Sequence, residues 1–453
     1  MRGLISSSGF RGIAIDEVSP EMCFSVGLAY GSASKGEFVL GMDPRLSSPL
    51  LALSLASGLS ASGSDARLLG LAPTPAVAFY SKGMSGGAMV TASHNPPDYN
   101  GIKLFGSNGA SVAQSFYHAL VAGIERGPRR AGYSELGEIT NGGGIESYIE
   151  SVSHSQSLSR AWRVGLDPGN GATTITAHMA YCNAGCSPST INIMPDGRFP
   201  GRGSEPAGDA LAPLSALVRS KGLDIGFAFD GDGDRFAAVD EAGSPIPQDA
   251  ALAFVASRLA AQAGGRRAVV VNADTSAAVD IMVGESGGRV IRCKVGDTYV
   301  VEELLRSGSA FGGETCGAWI FPRLGLCPDG VLSSLAFLAI LESSGLKASD
   351  VAKSVPKMHL VRRKVQCPNE LKSRAVASYG QQSAAGTRWE SITDLDGVRS
   401  EARDKSWVLV RPSGTEPLIR VTAEAASLSA AESLADEAQR LINSIVGEMI
   451  RKR

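Results

Sequence analysis

Short apolar runs ending in aspartate recur along the chain: Phe38-Val39-Leu40-Gly41-Met42-Asp43, Val164-Gly165-Leu166-Asp167 and Val269-Val270-Val271-Asn272-Ala273-Asp274. Runs this short with no polar alternation read as strands buried on both faces of a sheet. They recur more than a hundred residues apart, too far for solenoid repeats, and so predict three related α/β domains. Each repeat carries a second strand that runs into a polar loop: Ala88 to His94, Ile225 into Asp230, and Ala310 to Gly317. Helical stretches such as Pro213 to Arg219 and Ala250 to Ala263 lie between, with small and apolar residues suited to packing on a sheet. After about Ser354 the composition changes: Val361-Arg-Arg-Lys-Val365 alternates as a half-buried strand does, and Trp407-Val-Leu-Val410 reads as another strand. A last helix follows, with Ser429 and Glu432 as its capping box and Leu434, Ala438, Leu441 and Ile445 on one face. The pattern predicts α/β domains over 1–148, 149–248 and 249–354, then a smaller α+β domain over 355–453.

Composition narrows the classes of partner. A net charge of -2 over 453 residues does not suggest a polyanion partner such as nucleic acid or an anionic membrane surface. Hydrophobic content of 43% supports full cores, and the length implies several of them. Seven cysteines without a C-x-x-C pair read as small buried residues of a reducing compartment. The longest apolar-rich stretch, Val331 to Leu341, is broken by Ser333 and Ser334, and no basic segment followed by an apolar run opens the chain. The expectation is a cytoplasmic protein with no membrane span.

Asp230-Gly-Asp-Gly-Asp-Arg235 follows the apolar run Ile225 to Phe229. Alternate carboxylates separated by glycines can converge on one hard divalent cation. An EF-hand loop would need glycine where Arg235 stands and a helix where the strand stands, so that reading fails, although Glu241 falls at the loop's twelfth position. A solvated acidic turn is the plainer alternative. In Thr91-Ala-Ser-His-Asn-Pro-Pro97, the serine lacks the flanking glycines of a nucleophile elbow, and an adjacent His94 does not by itself orient an imidazole onto it. Phosphorylation of Ser93 fits better, since its oxygen could then complete the coordination of the cation. Arg411-Pro-Ser-Gly-Thr-Glu-Pro417 packs a guanidinium, two hydroxyls and turn amides into a cradle for a phosphate, with Arg420 as a further donor. An ordinary surface turn is its alternative. Glu314, between Gly313 and Gly317, suits a pair of sugar hydroxyls or a capped turn.

Taken in order, Ser6 to Gly12, Gly41 to Ser48, Thr91 to Lys103, Asp230 to Arg235, Gly313 to Gly317 and Arg411 to Pro417 resemble the signature segments of the α-D-phosphohexomutases across essentially the whole chain. The resemblance implies a heart-shaped, four-domain fold: three related α/β domains and a C-terminal domain like the TATA-binding protein. It implies a phosphoserine at Ser93 beside His94, and one Mg2+ per chain held by Ser93, Asp230, Asp232 and Asp234. Arg11 and Lys103 resemble the groups that assist proton transfer, Arg235 a phosphate contact, and Glu314 with Cys316 the sugar-reading loop. Arg411, Ser413, Gly414 and Thr415, with Arg420, match the grip on the non-reacting phosphate. The implied activity interconverts hexose 6-phosphate and hexose 1-phosphate through a 1,6-bisphosphate, which also serves as activator. Glucosamine phosphate is the first-choice substrate, then glucose or mannose phosphate. Two histidines common in the family are replaced, by Asp297 and Ala318. Together with Cys316, Trp319 and Pro328-Asp-Gly330, these departures look closest to the archaeal-type phosphoglucosamine mutase branch. A catalytically silent sugar-phosphate-binding homologue and a phosphatase acting through phosphoserine are the alternatives. The expected partner is a small sugar phosphate, and the expected assembly a monomer or homodimer.

Overall fold

A computed structural model describes residues 1–262, 268–385, 387–413 and 416–451. The chain forms two compact units, residues 1–251 with 296–353 and residues 252–295 with 354–453. In the first unit the apolar run from Phe38 becomes the strand Glu37–Met42, which pairs in parallel with both Asp65–Leu71 and Gly86–Val90. Every residue of Gly86–Val90 is buried, as its lack of alternation requires. The strand Tyr99–Phe105 runs antiparallel to Gly86–Val90 and to Gly9–Ile13, setting Lys103 opposite Met89 and Gly101 opposite Arg11. Two of the strongest basic candidates thus stand on neighbouring strands of one sheet. The helices Pro20–Ala33 and Ser48–Ala61 pack together through glycine: a Cβ on Gly27 would lie 2.1 Å from the Leu55 carbonyl oxygen, and one on Gly58 2.1 Å from that of Phe24.

A second sheet of the same unit has the strand order 236–239, 225–229, 163–167, 187–190. Here Arg163–Asp167 is the parallel neighbour of Ile225–Phe229, which turns back antiparallel on Phe236–Val239. The aspartate loop is therefore the turn of a buried hairpin. A shorter hairpin, Phe311–Gly313 with Trp319–Ile320, carries Glu314 to Ala318 at its turn. The helix Gly330–Ser344 is buried along most of its length, and its N-cap Asp329 accepts from the Leu332 amide.

In the second unit Ala268–Asn272 pairs in parallel with Arg289–Cys293. The chain from His359 onward builds a five-stranded antiparallel sheet. Alternation decides its two faces. Val408 and Val410 join Val361, Val365, Ile419 and Val421 against Leu434, Ala438 and Ile445 of the last helix, while Trp407 and Leu409 pack with Ala273 and Ala277. The last helix spans Leu428–Arg451, and Ser427 Oγ accepts from the Ala430 amide at 3.3 Å. Its N-cap is therefore Ser427, two residues ahead of the capping box expected at Ser429 and Glu432. Ser427 satisfies an orphan amide of an earlier turn, that of Ala430, and so starts the helix earlier. No helix among the described residues is long and apolar enough to cross a membrane.

Candidate active site

The chain leaves the strand Gly86–Val90 and turns at Ser93, whose backbone lies in the left-handed region with φ 51. A non-glycine residue there is strained and persists only when its surroundings hold it. The Ser93 amide donates to Thr91 Oγ1 at 2.8 Å, and Ser93 Oγ donates to Asp230 Oδ2 at 2.7 Å. The loop approach needs glycine at two places. A Cβ on Gly231 would stand 2.6 Å from the Ser93 carbonyl oxygen, and Gly233, at φ +77, would meet Thr173 Cγ2 at 2.4 Å.

The three aspartates are buried, and one oxygen from each lies within 4.8 Å of the others. Asp230 Oδ1 accepts from the amides of Gly233 and Arg235. Lys103 Nζ donates to Asp232 Oδ2 at 2.8 Å and to Asp234 Oδ2 at 2.5 Å, and Thr74 Oγ1 also donates to Asp232 Oδ2. The remaining oxygens, Oδ1 of Asp232 and Oδ1 of Asp234, are buried and accept no hydrogen bond among the described residues. Buried carboxylate oxygens left without a donor are costly unless something positive meets them, so this donor set fits a hard divalent cation. Burial and the adjacent Asp234 and Asp232 push Asp230 well above the usual carboxylate range. Burial also acts to raise Asp232, but Lys103 together with the hydrogen bond from Thr74 holds that carboxyl below its ordinary value. Lys103 in turn is kept charged: burial would lower it, and Asp232 and Asp234 more than compensate.

Arg11 lies on the same side. Its Nη1 donates to Asn95 Oδ1 at 3.1 Å, and its Nε is buried without an acceptor among the described residues, as befits a donor awaiting an anion. Burial lowers its pKa. Burial, with Arg235 and Arg11 nearby, pushes His94 down to about 3, so its imidazole is neutral near pH 7; its Nδ1 sits 3.4 Å from Ser93 Oγ. Arg235 Nε lies 3.8 Å from Asp234 Oδ1, and despite burial its charge is reinforced by the carboxylates of Asp234, Asp230 and Glu314. Glu314 Oε1 accepts from the Gly296 amide at 3.1 Å, tying the short hairpin that carries it to the turn before Asp297. Burial pushes the Cys316 thiol up to about 12, which keeps it neutral. Asp297 accepts from Ser111 Oγ at 3.4 Å and is raised by burial against the opposing pull of Lys103. Ala318 is buried in the hairpin.

Arg411, Ser413 and Arg420 belong to the second unit. Arg411 NH1 donates to Asp396 Oδ2 at 2.7 Å and Arg420 NH2 to Glu416 Oε2 at 2.8 Å, so both guanidiniums already face carboxylates. Ser413 Oγ accepts from the Glu416 amide at 3.2 Å, and Gly414 and Thr415 lie outside the described residues. Sequence reasoning missed Thr74, Asn95 and the buried Asp43–Arg45 pair. Asp43 and Arg45 sit inside the Gly41 to Ser48 signature segment, a usable signal, whereas nothing local marks Thr74.

Four domain models of phosphoglucomutase/phosphomannomutase match the chain: alpha/beta/alpha domain I over residues 2–130, domain II over 146–243, domain III over 247–359 and the C-terminal domain over 361–441. A probable phosphoglucosamine mutase of Pyrococcus abyssi is 38% identical over 444 residues, covering 97% of this chain and 98% of its own. One of Pyrococcus horikoshii is 36% identical over 447 residues, covering 98% of each. A solved phosphoglucomutase/phosphomannomutase family protein from Burkholderia thailandensis superposes with a TM-score of 0.87 at 26% identity, covering 98% of both chains.

Proposed function

The chain belongs to the phosphoglucomutase/phosphomannomutase family and is a phosphohexomutase, and from that premise we propose that it interconverts glucosamine 6-phosphate and glucosamine 1-phosphate through phospho-Ser93 and a 1,6-bisphosphate. The observation that carries this reading is Ser93 Oγ hydrogen-bonded to Asp230 beside two buried carboxylate oxygens that accept no hydrogen bond. The name of the archaeal relatives supports glucosamine over glucose or mannose.

In the first half-reaction the bond from phosphorus to Ser93 Oγ breaks, a bond from phosphorus to the free sugar hydroxyl oxygen forms, and the hydroxyl proton ends on Ser93 Oγ. The second half-reaction reverses this with the sugar's other phosphate. Asp230, Asp232 and Asp234, with the Ser93 oxygen, would hold one Mg2+, which when bound offsets charge on the transferring phosphoryl group. Arg11, with its spare buried Nε, steadies a phosphoryl oxygen and assists the proton's passage. Lys103 keeps Asp232 and Asp234 in place and remains charged while it does so. His94, neutral near pH 7, adds no positive charge of its own beside Ser93. Glu314 and Cys316 are assigned to the sugar, and Arg235 to phosphate. Arg411, Ser413, Gly414, Thr415 and Arg420 are assigned to the phosphate that does not react, which requires the Arg411 guanidinium to divide its donors between Asp396 and the ligand.

A coupled assay over a panel of hexose 1-phosphates and 6-phosphates, with Mg2+ and a catalytic amount of hexose 1,6-bisphosphate as activator, tests the reading. Glucosamine phosphate should turn over fastest, and Ser93→Ala should have no measurable turnover. Free phosphate released without isomer would instead indicate a phosphatase.

A further inference from the structure

We propose that Arg45 is a positioning residue for phosphoryl transfer, its guanidinium fixing the turn that aims Ser93 Oγ at the aspartate loop; the inference rests on Ser93 being the phosphoryl carrier. Arg45 is 0% exposed, and a buried arginine is costly unless its donors are met. All five are met. Nε donates to Asp43 Oδ2 at 2.8 Å, NH1 to the carbonyls of Pro96 and of Tyr99, the latter at 3.0 Å, and NH2 to the carbonyls of Ser93 and Asn95, both at 2.7 Å. Four of the five acceptors are therefore main-chain oxygens of the loop that carries Ser93 and of the first residue of the strand that follows it.

Asp43 extends the grip. It accepts from Ser48 Oγ and from Thr91 Oγ1, each at 2.7 Å, and Thr91 Oγ1 accepts from the Ser93 amide. Both backbone polar groups of Ser93 are thus anchored to one ion pair, the carbonyl directly and the amide through Thr91. Phe199 covers the guanidinium, its ring centroid 5.1 Å from Cζ, and Ser204 Oγ donates to the carbonyls of His94 and Asn95 from the irregular segment that follows residues 187–190. This is the over-determination that a serine held at φ 51 requires. A lysine could neutralise Asp43, but its single ammonium cannot span four carbonyls as a planar fork does. Loss of the fork lets the turn relax, and the hydroxyl oxygen drifts from its line of transfer.

The test compares Arg45→Lys and Arg45→Ala with the wild-type protein. Phosphate uptake on Ser93 from glucose 1,6-bisphosphate is followed by peptide mass spectrometry, alongside steady-state kinetics referred to folded protein. Misplacement on the ångström scale costs about 100-fold in rate, so kcat should fall by that order with KM unchanged. Methylguanidinium should restore part of the Arg45→Ala rate, which a purely structural role does not predict. Folded Arg45→Lys with wild-type kcat overturns the inference. Should neither variant fold, Thr91→Val cuts the amide limb while keeping the ion pair; a lowered kcat supports the proposal and a wild-type kcat overturns it. A wild-type protein that takes up no phosphate on Ser93 overturns the carrier reading and this inference together, whereas normal uptake with an unimpaired Arg45→Lys overturns the inference alone.

Discussion

Lys103 is the residue on which the charge balance of the aspartate loop turns. Its ammonium faces two of three buried carboxylates, and removing one partner of a buried ion pair commonly costs about 3–5 kcal/mol. Lys103→Met should therefore lose stability of that order in urea unfolding without metal, and Mg2+ should restore more stability to the variant than to the wild type. A variant as stable as wild type would mean the carboxylates do not need the lysine. Asp329 supplies a pH signature. Burial pushes its carboxyl up to about 6, although the Leu332 amide and the Tyr148 hydroxyl donate to it. Because the folded value lies above the ordinary one, folding takes up a proton. The stabilisation is full below about pH 4 and is lost as pH rises through 6, a span worth about 3 kcal/mol. Unfolding of Asp329→Asn measured from pH 4 to 7.5 should show this slope flattened. At this scale Ser93 and the three aspartates were legible because their chemistry is local in sequence. Thr74 and the Arg45 fork were not, because Asp232 and the carbonyls of residues 93–99 reach them only through the fold.

At the scale of elements, the hairpin from Ile225 to Val239 makes the aspartate loop a rigid turn, and glycine is what lets it meet the serine turn. Gly231→Ala would drive a methyl group against the Ser93 carbonyl at 2.6 Å. We expect a loss of about 1–3 kcal/mol in stability and a weaker Mg2+ response in turnover. Urea unfolding and a Mg2+ titration of the rate check both; unchanged values would show that the two loops can separate freely. The buried strands were readable because runs such as Val164 to Asp167 leave no polar face. The start of the last helix was not, since Ser427 and Ser429 both offer an N-cap oxygen and only the hydrogen bond to Ala430 decides between them. The strand at Trp407 hid a similar choice. Both of its faces are apolar, so its sequence does not say that Trp407 packs with Ala273 and Ala277 while Val408 packs under the helices.

For the whole molecule, the repeat of strand and polar loop made the α/β character visible, and the matched family domains account for nearly the full chain. What the pattern could not reveal is which elements share a core: residues 252–295 belong to the same compact unit as the C-terminal sheet. There Glu424 accepts from the Trp407 indole at 2.8 Å and from the Ala277 amide at 2.7 Å, a buried carboxylate joining segments far apart in sequence. The phosphate grip assigned to Arg411 is a claim about the complete enzyme. Losing one charge-assisted hydrogen bond costs about 1.5–3 kcal/mol, so Arg411→Ala should raise KM for the sugar phosphate by about 10- to 100-fold. Transfer through Ser93 is tested by following one phosphoryl group. Protein carrying isotopically labelled phosphate on Ser93, mixed with unlabelled glucosamine 6-phosphate, should pass the label to the sugar at a rate that supports kcat, and Ser93→Ala should neither take up label nor turn over. Isomerisation that proceeds while the label stays on the protein, or that survives in Ser93→Ala, would contradict it.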